Sequence, residues 1–455
     1  MAIARGGVVR SWRFGQPWVD GTVPKRPESA AVGIVGGGQL ARMLAAAAAE
    51  LNLPLVVQTP CGDDPAVALA SDHILAPLDD VDATRALARR CRAISFENEW
   101  LALERLELLE AEGICFLPDL QSLRPLLSKR AQRRLLDELH LNTVRWAPLE
   151  AVLPPPQPPV SPSHREADTN PRPALVAWSE PACGPASPSA RLVPPGPRLP
   201  EGFQFPVIAK VSEGGYDGKG IRRLNTQRDL DQLLAEVDPG GWLLEELVPF
   251  ERELALTACR DAQGNVACFP LVETHQHQQI CDWVLYPAPV GHSVQLYARN
   301  LAVSLMTALS YVGVLSIEFF WGPAGLQVNE LAPRTHNSGH YTIEACRTSQ
   351  FAQQVRIVAG LPMGSPEPCL AGALMVNLLA FSRDESAHQR AREALAALEE
   401  AKLHWYGKKG LQPGRKLGHL TLPLRASGRE QREAERVRQL ARIRQIWPLP
   451  PAGTP

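Results

Sequence analysis

The chain has 455 residues, 45% of them hydrophobic, with a formal net charge of −1 from 47 basic and 48 acidic side chains. That length accommodates two or three domains with large cores, and the charge balance gives no general pull toward nucleic acid or an anionic membrane. No apolar run approaches a membrane span, and the nine cysteines form no CxxC pair, the usage of reduced thiols in a cytoplasmic enzyme.

Residues 1–30 carry Arg5, Arg10, Arg13, Lys25 and Arg26 but no apolar core, so they read as a loose extension and not as a secretory signal. From 31 to about 120, β-rich runs (VGIVG, LPLVVQ, HILAP, RAISF) alternate with Ala/Leu/Arg stretches of helical character. This βαβ pattern implies a parallel sheet. LSKRAQRRLLDELHL (127–141) reads as an amphipathic helix leading into a new segment. Residues 154–200 hold 15 prolines in 47 positions and lack apolar periodicity, so they are expected to form a loose insert. Strand-like runs resume with FQFPVIAKV and continue through WLLEELV, ELALTAC, VACFPLV, LSIEFFW and GLQVNEL. Residues 297–311 and 342–360 are expected helices, and ALMVNLLA and KLGHLTL later strands. A charged helix is expected from 428 to 446, followed by a loose Pro-rich tail.

Two glycine loops stand out. GIVGGGQLA (33–41) is a strand, a glycine turn and a helix start, where backbone N–H groups can approach a phosphate. A dinucleotide site, another phosphorylated ligand and a purely structural turn all fit. The dinucleotide reading is weakened because the second strand ends in Gln58 where a ribose-binding acid belongs. GGYDGKG (214–220) follows a strand carrying Lys210. It is not a Walker loop, since Glu213 and Gly220 stand where a glycine and a Ser/Thr are needed. It reads as a flexible flap, with a plain hairpin turn as the bland alternative.

Glu318 in SIEFF and Glu330 in LQVNEL lie twelve residues apart around a Gly-Pro-Ala-Gly turn. Adjacent antiparallel strands would set them side by side, which is unfavourable without a cation between them. Mg²⁺ held by two carboxylates and phosphate oxygens fits; two unrelated strand-end acids are the alternative. The segment NELAPRTHNSGHYT (329–342) then supplies donors and cations suited to a second anionic reactant. WYGKKGLQPGRKLGH (405–419) places Lys408, Lys409, Arg415 and Lys416 around glycine turns, either as a solvated basic turn or as a phosphate site.

Taken in order, GIVGGGQLARM, GGYDGKG, YVGVLSIEFF, NELAPRTHNSGHYTIEA, MVNLL and YGK with PGRKLGH resemble the N5-carboxyaminoimidazole ribonucleotide synthetases, ATP-grasp enzymes of purine biosynthesis. The resemblance covers about 31–150 and 202–425. It implies an α/β (α+β) architecture with an ATP-grasp fold. A Rossmann-like pre-ATP-grasp domain would span 31–125, the ATP-grasp domain 126–370 around the insert, and a small C-terminal domain 371–425, followed by the 426–455 helix and tail. It also implies a homodimer, the cofactors ATP and Mg²⁺, and small-molecule substrates, with no nucleic acid or membrane partner. The reaction would be ATP-dependent carboxylation of 5-aminoimidazole ribonucleotide by bicarbonate, through carboxyphosphate.

Carried over position by position, the resemblance assigns Lys129 and Lys210 to the ATP phosphates. Lys129 stands where arginine is usual, which keeps the charge and loses the fork. Gly215, Gly218 and Gly220 of the flap, Glu245, Glu246, Val248, Glu253, Gln276 and Asn329 would complete the ATP site. Gln276 stands where many relatives have histidine. Glu318 and Glu330 would bind Mg²⁺, with Glu330 also in the ATP site. Tyr216, Asp217 and Lys219 would position bicarbonate or the amine, and Arg334, His336 and Asn337 would hold carboxyphosphate. Gly38, Gln39, Leu40, Glu97, Lys408, Arg415 and Lys416 would form the ribonucleotide pocket. Two other functions compete: a related ATP-grasp ligase of formate or glycine, and a degenerate ligase core that presents the Pro-rich arm to a partner. HNSGH with the YGK segment argues against the first, and the intact acidic pair against the second.

Overall fold

The computed structural model describes residues 31–153, 197–215 and 218–451. Tyr216, Asp217, the 1–30 extension and the Pro-rich stretch up to residue 196 lie outside the described residues.

The first unit contains β1 (Val32–Val35), α1 (Gln39–Glu50), β2 (Leu55–Thr59), β3 (Asp72–Leu75), α2 (Val81–Ala88), β4 (Ala93–Phe96) and α3 (Leu103–Ala111). The strands form a parallel sheet in the order β3-β2-β1-β4. Strands β1, β2 and β4 are wholly buried, as their unbroken apolar runs require in a sheet covered on both faces. β1 lies between β2 and β4, so their outgoing loops diverge and open a crevice at the carboxyl ends of the strands. The glycine turn 36–38 and Glu97 sit there.

Short α4 (Leu120–Leu123) leads to α5 (Lys129–Glu138), whose start is set by the Ser128 hydroxyl accepting from Ala131 N. The cap trims the expected 127–141 helix at its front. A small antiparallel sheet follows, built from β5 (Trp146–Pro148), β6 (Val207–Val211), β7 (Ile221–Leu224) and, after α6 (Gln227–Glu236), β8 (Trp242–Glu246). Its order is β5-β8-β6-β7, and the flap joins β6 to β7.

The largest sheet has nine strands: β9 (Arg252–Arg260), β10 (Val266–Cys268), β11 (Val272–His277), β12 (Ile280–Tyr286), β13 (Gly313–Gly322), β14 (Gly325–Ala332), β15 (Gly372–Leu379), β16 (Lys402–Trp405) and β17 (Lys416–Leu424). The order is β14-β13-β9-β11-β12-β15-β17-β16, with β10 on β9. The strands after residue 371 therefore extend the central sheet through the β12–β15 pair and make no sheet of their own. Helix α7 (His292–Ala308) starts five residues before the expected 297. The expected 342–360 helix is broken into α8 (Thr342–Ala345) and α9 (Gln350–Ala359), because Ser349 caps a fresh start by accepting from Ala352 N. Helix α10 (Glu385–Ala396) and α11 (Arg429–Ile446) cover the end of the sheet.

The C-terminal tail differs from the loose segment expected. Trp447 is fully buried and donates its indole N–H to Leu379 O at 2.7 Å. Pro450 O lies 3.2 Å from His277 Nε2, and Gln278 donates to Pro451 O at 3.3 Å. A proline-rich tail can still anchor itself through its carbonyls and one aromatic side chain.

Candidate active site

The site lies between the small sheet and the nine-stranded sheet. Glu318 on β13 and Glu330 on β14 stand directly opposite in an antiparallel pair, as the spacing predicted. A bulge after Glu318 follows at once, the kind of irregularity that re-aims a side chain near a site. Burial, then the neighbouring Glu330 charge, raises the Glu318 carboxyl to about 7. Burial would raise Glu330 too, but Lys129 and Lys210 outweigh it and hold that carboxyl below its usual value. Lys129 Nζ is 2.6 Å from Glu330 Oε1. One acid thus carries its charge against a lysine while its neighbour resists ionising, as two close carboxylates must.

Lys210, buried on β6, reaches Glu245 Oε2 at 2.7 Å and Asn329 Oδ1 at 3.1 Å. One sequence expectation changes here. The Glu245 carboxylate is not open to the adenine. It is buried, takes two bonds from Arg133 at 2.6 and 2.9 Å as well as Lys210, and is held at about 2 by these cations against the effect of burial. Its part is to place Lys210. Asn329 turns its oxygen to Lys210, and its amide approaches Glu318 Oε2 at 3.5 Å. Glu246 faces Arg145 at 3.2 Å on the half-exposed side, and Val248 is half-buried in the link from β8 to β9. Glu253 on β9 is raised to about 7 by burial, partly offset by His275 and Lys210. Gln276 sits at a register shift in β11.

The flap hangs from β6. Gly218 and Gly220 both have φ of +79°, a left-handed backbone that favours glycine. A Cβ on Gly220 would come within 2.3 Å of Val211, so the turn needs its absence. Gly215 and the exposed Lys219 belong to the same turn.

Beyond β14, Arg334 donates to Glu99 through Nε at 2.5 Å and a terminal nitrogen at 3.1 Å. His336 Nδ1 accepts from Ser338 N at 3.3 Å, which leaves the ring proton on Nε2, 3.5 Å from Glu318 Oε1. Burial, then Arg334 and Lys416, depress this imidazole to about 3, so it is a neutral donor. The buried Asn337 amide exchanges two hydrogen bonds with Asn377 on β15, at 3.0 and 2.7 Å.

At the crevice of the first unit, the helix-start amides are already occupied. Glu97 accepts from Gly38 N at 2.6 Å, Leu40 N at 3.0 Å and Ala41 N at 3.4 Å. An internal carboxylate therefore stands where a phosphate was one of the expectations, and burial raises it despite these bonds. Gln39 accepts from Lys408 Nζ at 2.6 Å, which brings the glycine turn to the basic loop. Arg415 is exposed and turns back to Lys409 O and Gly410 O, while Lys416 is half-buried at the start of β17. Sequence reading missed Glu99 and Arg133, whose signals were a second acid two residues after Glu97 and an arginine on the inner face of α5.

Lys129 at the start of α5 and Lys210 on the small antiparallel sheet, set against the paired carboxylates of a large sheet beside a glycine flap, define an ATP-grasp enzyme. Residues 197–351 match the ATP-grasp domain model, 29–125 the ribonucleotide synthetase preATP-grasp domain, and 373–433 the phosphoribosylaminoimidazole carboxylase C-terminal domain. The chain is 42% identical over 419 residues to the N5-carboxyaminoimidazole ribonucleotide synthase of Synechococcus elongatus, covering 92% of this chain and 96% of that one. The chain belongs to the N5-carboxyaminoimidazole ribonucleotide synthase family. Among solved structures, the Thermus thermophilus synthetase superposes with a TM-score of 0.70 at 30% identity over 90% of this chain and 98% of that one. The Aspergillus clavatus enzyme in complex with ADP and 5-aminoimidazole ribonucleotide gives 0.73 at 26% identity, covering 91% and 98%.

Proposed function

We propose that this chain carboxylates 5-aminoimidazole ribonucleotide with bicarbonate at the expense of ATP, forming N5-carboxyaminoimidazole ribonucleotide, ADP and phosphate. The observation that carries the residue roles is the Glu318–Glu330 pair with Arg334 and His336 only a few residues further along the same strand end. One site thus holds a place for polyphosphate and a place for a second anion.

Lys129 and Lys210 bind the ATP phosphates, and Glu253 binds the ribose hydroxyls. The donor set at Glu318 and Glu330 fits Mg²⁺: two carboxylates that cannot comfortably share their charge, with phosphate oxygens to complete the shell. When bound, Mg²⁺ supplies charge neutralisation for phosphoryl transfer.

Bicarbonate oxygen takes the γ-phosphoryl group and ADP leaves. The exocyclic amine of the ribonucleotide then bonds to the carboxyl carbon as the C–O bond to phosphate breaks and the amine loses a proton. Arg334 and the His336 Nε2–H stabilise the anionic intermediate, and Asn337, set by Asn377, lines it. Tyr216, Asp217 and Lys219 position bicarbonate or the amine, and the flap excludes water from a labile acyl phosphate. Gly38, Gln39, Leu40, Glu97, Lys408, Arg415 and Lys416 line the ribonucleotide pocket. The enzyme acts in the cytoplasm as a homodimer, with domain limits near residues 125 and 370. No helix among the described residues is long and apolar enough to cross a membrane.

Product identification tests this. ATP, bicarbonate and the ribonucleotide should yield ADP, phosphate and an acid-labile carboxylated ribonucleotide, and formate or glycine should not replace bicarbonate. ADP release without carboxylated product would overturn the proposal.

A further inference from the structure

Beneath the ribonucleotide side of the site lies a group of side chains to which the reaction assigns nothing. Tyr406, His340 and His419 are at most 1% exposed. The Tyr406 hydroxyl lies 2.8 Å from His419 Nδ1. The half-buried His404 ring stacks on His419 with centroids 4.4 Å apart and planes 11° off parallel, and its Nε2 is 2.6 Å from Glu344 Oε1. His340 lies 4.9 Å from His419, ring to ring. The Nε2 atoms of His340 and His419 are buried with no hydrogen-bond partner among the described residues. Burying polar atoms unpaired is costly, and apolar residues of equal volume would fill this core at less cost. Packing alone therefore does not account for the cluster.

What the cluster joins is the two ends of the pocket. Tyr406 lies two residues before Lys408, whose ammonium sits 5.6 Å from the Tyr406 ring centroid and bonds Gln39. His419 lies three residues after Lys416 on β17. On the other side, His340 Nδ1 is 3.4 Å from Gln350 Nε2. The Gln350 side chain in turn accepts from His336 N at 3.0 Å and donates to His336 O at 2.7 Å.

We propose that Tyr406, held by His419, is a positioning residue for Lys408, so that the pair sets the affinity of the pocket for the anionic end of the ribonucleotide. This rests on the assignment of Lys408 to that pocket. A lysine stem has many rotamers and a compact, hydrated head. An aromatic face beneath the head narrows them through cation–π attraction, and that face is only as fixed as the ring that carries it. The hydroxyl–imidazole bond fixes the ring. His340 and Gln350 extend the same frame to His336, so the basic end and the reacting end of the pocket share one support.

The test uses the full chain and steady-state ADP release, with ATP and the ribonucleotide varied in turn. Tyr406→Phe keeps the ring and removes the hydroxyl; His419→Leu removes the partner; His419→Asn restores an acceptor near the Nδ1 position. Tyr406→Phe and His419→Leu should each raise the ribonucleotide KM about three- to tenfold, the effect of one buried hydrogen bond. The ATP KM should stay within about twofold, and His419→Asn should return close to the parent value. Lys408→Ala should raise the same KM, and adding Tyr406→Phe to it should change nothing more. Variants that melt earlier but bind the ribonucleotide normally, that raise both KM values alike, or that multiply with Lys408→Ala would overturn the inference. If Lys408→Ala alone leaves the ribonucleotide KM untouched, the pocket assignment itself falls; if it raises KM while Tyr406→Phe does not, only the inference falls.

Discussion

Glu99 holds Arg334 from a distant part of the chain. The two residues are 235 positions apart, yet both oxygens of one carboxylate meet one guanidinium, at 2.5 and 3.1 Å. Burial alone would raise Glu99, but Arg334 holds it below its usual value and is itself raised in return. The first unit thus reaches into the site through the loop after β4, and the orientation of Arg334 is set by a two-pronged contact that fixes a plane as well as a distance.

Glu99→Gln should free Arg334 to rotate. Turnover should fall about ten- to hundredfold, matching the roughly 1.5–3 kcal/mol of a charge-assisted hydrogen bond. The ATP KM should change little, because Glu99 and Arg334 stand on the side proposed for carboxyphosphate. Separate KM values from ADP release decide this, and an ATP KM that rises as much as turnover falls would contradict it.

Glu330→Gln should lower turnover by a few powers of ten, about 4 kcal/mol of barrier. Two opposing effects act on the unliganded protein: Glu318 loses a like-charged neighbour, and Lys129 loses the partner at 2.6 Å. Their offset should leave the melting temperature within a few degrees. Near-parent turnover at saturating Mg²⁺ would remove Glu330 from the metal site.

Glu253 gives the unliganded protein a pH signature. Its folded carboxyl titrates near 7, above the ordinary 4.5, so between these values the native state holds a proton that the unfolded chain has lost. Stability should therefore fall as pH rises through that window, with a slope of up to about 1.4 kcal/mol per pH unit from this group. Glu253→Gln should flatten the decline between pH 5 and pH 7. Melting curves across this range are the check, and an unaltered slope would count against the assignment.

Replacing residues 154–196 by a short Gly/Ser linker should leave the melting temperature within a few degrees and turnover within about twofold, since loop-closure cost grows slowly with length. The flanks already meet, because Arg198 N donates to Val152 O at 2.9 Å, and Leu199 and Phe203 pack on the small lobe's core. Insoluble protein would show that the segment contributes to folding.

Trp447→Ala should cost about 3–5 kcal/mol of stability through the cavity left in the core between β15, β17 and α11. Thermal or urea unfolding measures it. A loss below about 1 kcal/mol would mean that the C-terminal anchor adds little to the fold.

By itself the sequence determined the layout. Alternating βαβ runs placed the parallel sheet, the run FPVIAKV with GGYDGKG placed the flap, and the twelve-residue spacing of Glu318 and Glu330 around a turn placed the acidic pair. These are short-range facts, written in periodicity and turn chemistry that act within a few residues. Even the family resemblance rests on such local strings. The tertiary structure alone decided which charges spend themselves on one another. Glu245 is committed to Arg133 and Lys210, Glu97 fills the helix start that looked ready for phosphate, Glu99 secures Arg334, and Trp447 pins a tail that reads as loose. Each depends on groups brought together from distant parts of the chain. Coulomb energy and desolvation depend on distance in space and on burial, and neither is written in the spacing of residues along a strand or helix.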